Sequence, residues 1–202
     1  MRKKDKKTLV ITTLICVCAL TAYGIFYKFY PLPESRRENL QTFWVLATAI
    51  LVNIILNRGL NFTVSKKMGP KFLVGMGKWI VPFTSIFATI IFIYSMMYPQ
   101  SSLIENATYT FVGLIFIVSG NYFPKNHVNP YIGLKFPWLL DDEKSWDKTH
   151  KLASYTWILA GILLIIQLFI SSLKIVSIPL VIILVGILPL VYSLMLVYKK
   201  RR

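Results

Sequence analysis

The residues with the most chemical capacity in this chain lie between Gly120 and His150, which hold both histidines and four of the eight acids. An acid–base or metal site here would draw on His127, Asp141, Asp142, Asp147 and His150. The two histidines stand far apart in the sequence, and neither a HExxH pattern nor paired cysteines accompany them. The pattern therefore predicts no enzyme, no metal and no other cofactor, and leaves catalysis at a membrane surface as an alternative.

The elements that must position these residues are apolar. Hydrophobic residues make up 55% of the 202 residues, and the mean hydropathy is +0.60. Crossing a hydrocarbon core about 30 Å thick takes roughly 20 helical residues. Six runs have that length: 8–30, 42–62, 79–98, 103–123, 152–172 and 175–198. The sequence predicts an all-α polytopic membrane bundle, forming a single membrane domain over residues 1–202, with the first run retained as a span.

Basic residues predict the orientation of these spans. The formal charge is +15, and most of the Lys and Arg lie between apolar runs rather than in one soluble patch. Placing both termini in the cytoplasm leaves outside only Lys28, Arg36, Arg37 and Lys174 of the 23 basic residues. The positive-inside bias therefore predicts an N-in, C-in topology, with residues 124–150 as a cytoplasmic loop. The same distribution favours anionic lipid over direct binding of nucleic acid.

Among the polar residues inside the predicted spans, the amides Asn53, Asn57 and Gln167 are candidates for a buried role. Asn53 and Asn57 are one helical turn apart and share a face. An amide in lipid usually bonds to another helix, with a gain of about 0.6–2 kcal/mol. We therefore interpret them as structural bonds between helices, with the wall of a polar cavity as the alternative.

The last span contains Pro179, Gly186 and Pro189, which predict a bend because proline removes a helical hydrogen bond. Broken helices build the binding sites of many transporters. Neither an ATP-binding motif nor an acid in the middle of a span supports transport here. A transporter or flippase for a small molecule, lipid or peptide remains an alternative.

Within the loop, Asn129-Pro130 predicts a turn, Gly133 a flexible point, and Pro137 an extended stretch. Asp141 or Asp142 is placed to cap a helix that runs through Trp146 and His150 into the fifth span. Spacings of four and eleven residues put Trp146, His150 and Trp157 on one face of that helix. The acidic run 141–143 is interpreted as helix capping, with contact to a basic partner as the alternative.

These residues resemble the SdpI family of small bacterial membrane immunity proteins. The family pattern is G-N-Y-x-P-K at the end of a span, then N-x-x-x-G-x-R-x-P-W, a further Trp and W-x-x-x-H. The matching residues are Gly120-Asn121-Tyr122, Pro124-Lys125, Asn129, Gly133, Pro137-Trp138, and Trp146 with His150. The resemblance extends more loosely over residues 103–198. Lys135 stands where the pattern has arginine, so a planar bidentate contact is lost. The I-P-x-H-W-like element of many relatives has no counterpart between Tyr30 and Leu40.

The resemblance implies a multi-pass protein of the bacterial cell membrane that protects against a secreted, membrane-active peptide toxin. It also implies a signalling receptor that holds a cytoplasmic transcriptional repressor at the membrane. The candidate functional residues are Asn121, Asn129, Gly133, Lys135, Pro137, Trp138, Trp146 and His150. The tryptophans offer rigid apolar contact area and the lysine offers charge. The glycine and proline shape the loop, the asparagines hold its ends, and the histidine anchors the helix start with a response to pH. The oligomeric state stays open.

Overall fold

The computed structural model describes residues 3–30, 40–65, 71–128 and 133–201. Its α-helices are α1 (Lys3–Phe29), α2 (Leu40–Ser65), α3 (Lys71–Met97), α4 (Ser102–Tyr122), α5 (Glu143–Ile166), α6 (Lys174–Ile182) and α7 (Leu188–Arg201). Short 3₁₀ turns cover Phe123–Lys125, Pro137–Leu139 and Ser171–Leu173, and a π-helical stretch, Ile183–Ile187, joins α6 to α7. No strand occurs in the described ranges. The predicted all-α class is confirmed.

Six helical stretches among the described residues are long and apolar enough to cross a membrane. They correspond to the six predicted spans, with α6, the π-helical stretch and α7 together forming the sixth. The number of spans is therefore confirmed, and the N-in, C-in orientation stays a prediction. The residues of the helices fall into two compact units. One contains α1, α2 and α3. The other contains most of α4, the connection that follows it, and α5, α6 and α7. The single membrane domain also stays a prediction.

The first unit has a polar interior toward the start of α1. The carboxylate of Asp5 lies 2.9 Å from the ammonium of Lys78, and this ion pair joins α1 to α3. Asn53 Nδ2 donates to Thr12 Oγ1 at 3.2 Å, and Asn57 Nδ2 donates to the carbonyl oxygen of Lys78 at 3.3 Å. All five side chains are buried. The two asparagines thus make the helix-to-helix bonds that the structural interpretation requires.

In the second unit, glycines let α4 and α5 approach closely. A Cβ built on Gly113 would lie 2.8 Å from the carbonyl oxygen of Gly161, and one on Gly120 would lie 2.9 Å from that of Ser154. Any side chain at these positions would push the two helices apart. Small residues commonly allow such backbone contact between membrane helices.

The fifth span ends earlier than hydropathy predicts. Helix α5 stops at Ile166, although the apolar run continues to residue 172. Gln167 is fully buried, and its side-chain oxygen accepts a hydrogen bond from the hydroxyl of Ser177 on α6. The chain reverses direction next to this buried hydrogen bond. Hydropathy does not predict where such a bond forms.

The sixth span departs from α-helical geometry between its two prolines. Pro189 has no N–H, so the carbonyl of Val185 lacks the donor that a regular α-helix would give it. The indole N–H of Trp157 on α5 donates to that carbonyl at 3.0 Å. Between the prolines the span has a π-helical turn, a common cause of helix bending, and the predicted bend itself stays a prediction.

Candidate functional site

The candidate site is built on the start of α5. Asp142 is the N-cap residue: its Oδ1 accepts the backbone N–H of Ser145 at 3.4 Å, and its Oδ2 accepts the hydroxyl of Ser145 at 2.8 Å. Lys200 of α7 lies 3.1 Å from the same carboxylate. The hydrogen bonds from Ser145, and then the one from Lys200, hold the pKa of Asp142 below its ordinary value. The sequence left two aspartates open as the cap, and the structure assigns Asp142.

One turn further along, the rings of Trp146 and His150 stack, with centroids 4.0 Å apart and planes 22° apart. Both side chains have no exposed surface. His150 Nε2 accepts the backbone N–H of Leu134 at 3.0 Å, so His150 Nδ1 carries the ring proton and donates to the carbonyl of Trp146 at 2.9 Å. A second ring proton would face the N–H of Leu134. The geometry therefore requires a neutral imidazole.

Gly133 packs directly against this pair of rings. Its φ is +106°, a conformation that residues with a side chain rarely adopt. A Cβ at this position would lie 2.5 Å from His150 Nε2, 2.7 Å from Asn126 Nδ2 and 3.2 Å from Trp146 Cζ2. The prediction of a flexible point is wrong. This glycine is required because there is no space for a side chain and because the backbone is left-handed.

The segment directly after α4 is held against the same rings. The indole N–H of Trp146 donates to the carbonyl of Asn126 at 2.8 Å. The ring of Phe123 contacts His150 edge-on, with centroids 5.7 Å apart, and contacts Trp157 at 4.7 Å. Phe123 thus bridges the predicted aromatic face of α5. We call Phe123, Asn126, Gly133, Leu134, Trp146 and His150 the loop anchor. It fixes both described ends of the connection onto the first turns of α5.

A separate contact holds the next part of the connection to α7. Trp138 lies in the 3₁₀ turn Pro137–Leu139, and its indole N–H donates to Ser193 Oγ at 3.1 Å. Its ring stacks on Phe136, with centroids 5.5 Å apart and planes 8° apart. Leu139 beside it is fully buried. Segment 133–139 is therefore fixed at one end by α5 and at the other by α7.

The eight predicted site residues fall into groups in the structure. Gly133, Trp146 and His150 come together in the loop anchor, and Trp138 is half-buried against α7. Three others are exposed: Asn121, Lys135 and Pro137. Asn129 lies outside the described residues. The two buried rings offer no surface to a partner, so their structural role is to position the connection.

Sequence reasoning missed Phe123, Asn126 and Leu134 as members of the anchor. Two of them take part through backbone atoms: the carbonyl of Asn126 and the N–H of Leu134. Because every residue type offers those atoms, the sequence carries no signal for them. The apolar ring of Phe123 directly before a proline was the one available clue.

The chemistry open to His150 is limited by its two hydrogen bonds. Backbone groups engage both ring nitrogens, so neither is available to a metal ion or to a substrate proton in this arrangement. Of the other four members of the candidate acid–base set, His127, Asp141 and Asp147 are exposed, and Asp142 is engaged as the cap of α5. Across the described ranges, no three His, Cys, Asp or Glu side chains come close enough to hold a metal ion.

The comparisons with known proteins match the same part of the chain that the loop anchor occupies. Residues 125–193 match the model of the SdpI/YfhL protein family. The matched range starts at the end of the 3₁₀ turn after α4, includes most of the loop anchor and ends at Ser193, the partner of Trp138. The resemblance to the SdpI family is confirmed over this third of the chain. No curated protein and no solved structure matches the chain.

Proposed function

We propose that this membrane protein protects a bacterium against a secreted, membrane-active peptide toxin. One observation carries the proposal: the SdpI/YfhL match covers the segments that the loop anchor and the Trp138 contact bring together. The matched residues thus form one folded element in the second unit. Six membrane-length helices support a place in the bacterial cell membrane, where such a toxin acts.

The structure suggests which residues of this element meet a partner. His150 holds the backbone of Leu134, and Ser193 holds Trp138. Between these fixed points the side chains of Lys135 and Pro137 are exposed. A charged and an apolar group on a segment held at both ends form a preorganised contact, which loses little conformational freedom on binding. Lys135 and Pro137 are therefore our candidates for direct contact, and the loop anchor is what positions them.

The same displayed segment supports a second function, that of a receptor for a cytoplasmic repressor. Asp141 and Glu143 are exposed near the start of α5, beside the displayed segment in sequence. Exposed acids and an exposed lysine suit a folded protein partner that carries both charges. This function requires the connection to face the cytoplasm. A reporter fused after Arg202 that is active only outside the cell would contradict that topology.

We further propose that the protein is not an enzyme and needs no cofactor. The support is the engagement of both ring nitrogens of His150 by backbone groups, the use of Asp142 as a helix cap, and the exposure of His127, Asp141 and Asp147. Transport or lipid flipping remains the principal competing function, and efflux from vesicles that depends on a transported peptide would favour it over immunity.

The test is survival of a sensitive bacterium that expresses this chain, challenged with a panel of secreted membrane-active peptides. We expect protection against at least one peptide. Lys135→Gln should reduce that protection at unchanged abundance in the membrane, because it removes a displayed charge. His150→Ala should reduce it by releasing the connection. His127→Ala is the matched control, since this second histidine is exposed outside the anchor.

Protection that survives both Lys135→Gln and His150→Ala would exclude the connection from the mechanism. No protection across the panel would contradict immunity and shift attention to the receptor function. The receptor function is tested separately with membranes of the producing strain. The wild-type chain should capture a DNA-binding protein from them, and the Lys135→Gln variant should not.

A further inference from the structure

An exposed stripe runs the length of helix α5. It consists of Lys144, Lys148, Lys151, Tyr155, Leu159 and Ile162. Each spacing is three or four residues, which places these side chains in one row on an α-helix. Along the row the chemistry changes once, from three lysines through a tyrosine to aliphatic residues.

The order of residues along the stripe assigns its depth in a membrane. Leu159 and Ile162 are 54% and 41% exposed on a helix that is apolar and long enough to cross the bilayer. Such side chains face lipid. Tyr155, one turn earlier and 64% exposed, has the residue type that collects at the membrane–water interface. The three lysines precede it by one to three turns, so their ammonium groups reach the headgroup layer.

The charges on this part of α5 favour an anionic ligand. Residues three or four apart on a helix have Cβ atoms about 5–6 Å apart, so neighbouring ammonium groups of the row can meet at one phosphate. Two acids are adjacent to the row in sequence: Glu143 directly before Lys144, and Asp147 directly before Lys148. Within the described part of the chain, no ion pair occupies any of the three lysines. Their charges are therefore available to a ligand.

We infer that Lys144, Lys148 and Lys151 bind the phosphate group of an anionic phospholipid, with Tyr155 marking the interface beneath it. Two observations carry this inference together: the row of unpaired ammonium groups and its continuity with the lipid-facing residues below. The ligand's acyl chains then lie along Leu159 and Ile162. The inference does not depend on the proposed immunity function.

The test uses the full chain reconstituted in phosphatidylcholine bilayers. Spin-labelled phosphatidylglycerol and spin-labelled phosphatidylcholine are compared by electron paramagnetic resonance, which gives the fraction of each lipid immobilised on the protein. We expect phosphatidylglycerol to associate about threefold to tenfold more strongly than phosphatidylcholine, given the known attraction of membrane-surface lysines to anionic lipid. The triple variant Lys144→Gln, Lys148→Gln, Lys151→Gln should lower the ratio to about one.

Two further variants make the result specific. Lysine-to-arginine changes at the same three positions keep the charge and should keep most of the preference. Lys3→Gln, Lys4→Gln and Lys6→Gln together form the matched control. They remove three exposed charges from the start of another helix, α1, and should leave most of the preference in place. Circular dichroism of every variant confirms that the helices are intact.

The other outcomes would each overturn the inference. A wild-type protein without preference has no such site. Equal losses in the two glutamine triples would show that summed charge, not the stripe, attracts the lipid. Full competition by millimolar inorganic phosphate would assign the site to free phosphate instead of a lipid headgroup. A stripe occupied by a second copy of the chain would appear as a dimer that the glutamine triple dissociates.

Discussion

Replacing Gly133 with alanine tests the loop anchor most directly. The change adds one methyl group, which would lie 2.5 Å from His150 Nε2 and 2.7 Å from Asn126 Nδ2. Neither neighbour is the free end of a flexible chain. His150 is fixed by hydrogen bonds from both ring nitrogens, and Asn126 is buried. The methyl group can be accommodated only if segment 133–134 moves away from α5.

Two contributions set the magnitude. Holding alanine at a φ of +106° should cost about 1–3 kcal/mol, the range for a residue in a sparsely populated backbone conformation. Forcing a methyl group into the packed site should cost a further 1–3 kcal/mol or so. We therefore expect Gly133→Ala to lower the free energy of unfolding by about 2–6 kcal/mol if the connection stays attached. Detachment of the segment would limit the loss and appear as faster hydrogen exchange at the amide of Leu134.

The assay is unfolding of the purified chain in mixed micelles, followed by circular dichroism. Gly186→Ala is the matched control, because a Cβ there meets nothing within 4 Å. It should be neutral or stabilising by up to about 1 kcal/mol. In a His150→Ala background, Gly133→Ala should lose the part of its steric cost that comes from His150 and keep its backbone part and the clash with Asn126 Nδ2. A Gly133→Ala effect no larger than that of Gly186→Ala would refute the anchor.

The remaining predictions concern other bonds. Trp157→Phe removes the donor to the carbonyl of Val185 and should lower the free energy of unfolding by about 1–3 kcal/mol, measured in the same micelles; an unchanged value would show that the π-helical turn satisfies this carbonyl by itself. Asn53→Ala removes bonds from α2 to α1 and should cost about 0.6–2 kcal/mol, so an unchanged melting temperature would contradict a structural role. Because the pKa of Asp142 is lowered in the folded chain, its ionised form stabilises the fold above its unfolded pKa of about 4. That contribution disappears as pH falls through the lower folded value. The difference in melting temperature between the wild type and Asp142→Asn should therefore be constant near neutral pH and shrink below about pH 4, and a difference independent of pH would refute it.

The sequence was sufficient for those parts of the fold that depend on side-chain type and period. Apolar runs of membrane length located the six membrane-length helices of the described residues, and the acidic run before α5 narrowed its cap to Asp141 or Asp142, of which the structure has Asp142. Pro189 indicated an irregular last span. In each case a local rule of solvation, capping or backbone geometry determines the outcome. Tertiary contacts then shift only the ends, as at Gln167.

The candidate site was harder to predict from the sequence, because its hydrogen bonds join side chains to backbone atoms that are distant in sequence. Trp146 bonds to the carbonyl of Asn126, and His150 to the N–H of Leu134. Residue type does not identify such partners. Gly133 could be mistaken for a flexible point because glycine serves both mobile and tightly packed positions. Only the positions of the neighbouring atoms distinguish a mobile glycine from a tightly packed one.

The three tryptophans of the second unit share one role that changes how its functional residues are interpreted. Trp138, Trp146 and Trp157 each donate an indole N–H to another segment of the chain. They bind the connection and the last span to other segments of the unit; Trp146 is fully buried, and Trp138 and Trp157 are half-buried. If the proposed function holds, substituting Trp138 or Trp146 should release the connection, so stability and protection should fall together. Lys135 is exposed on the segment that these hydrogen bonds hold in place. Its substitution should therefore lower protection while stability stays unchanged. That difference separates the residues that position a partner-binding segment from the residue that makes the contact.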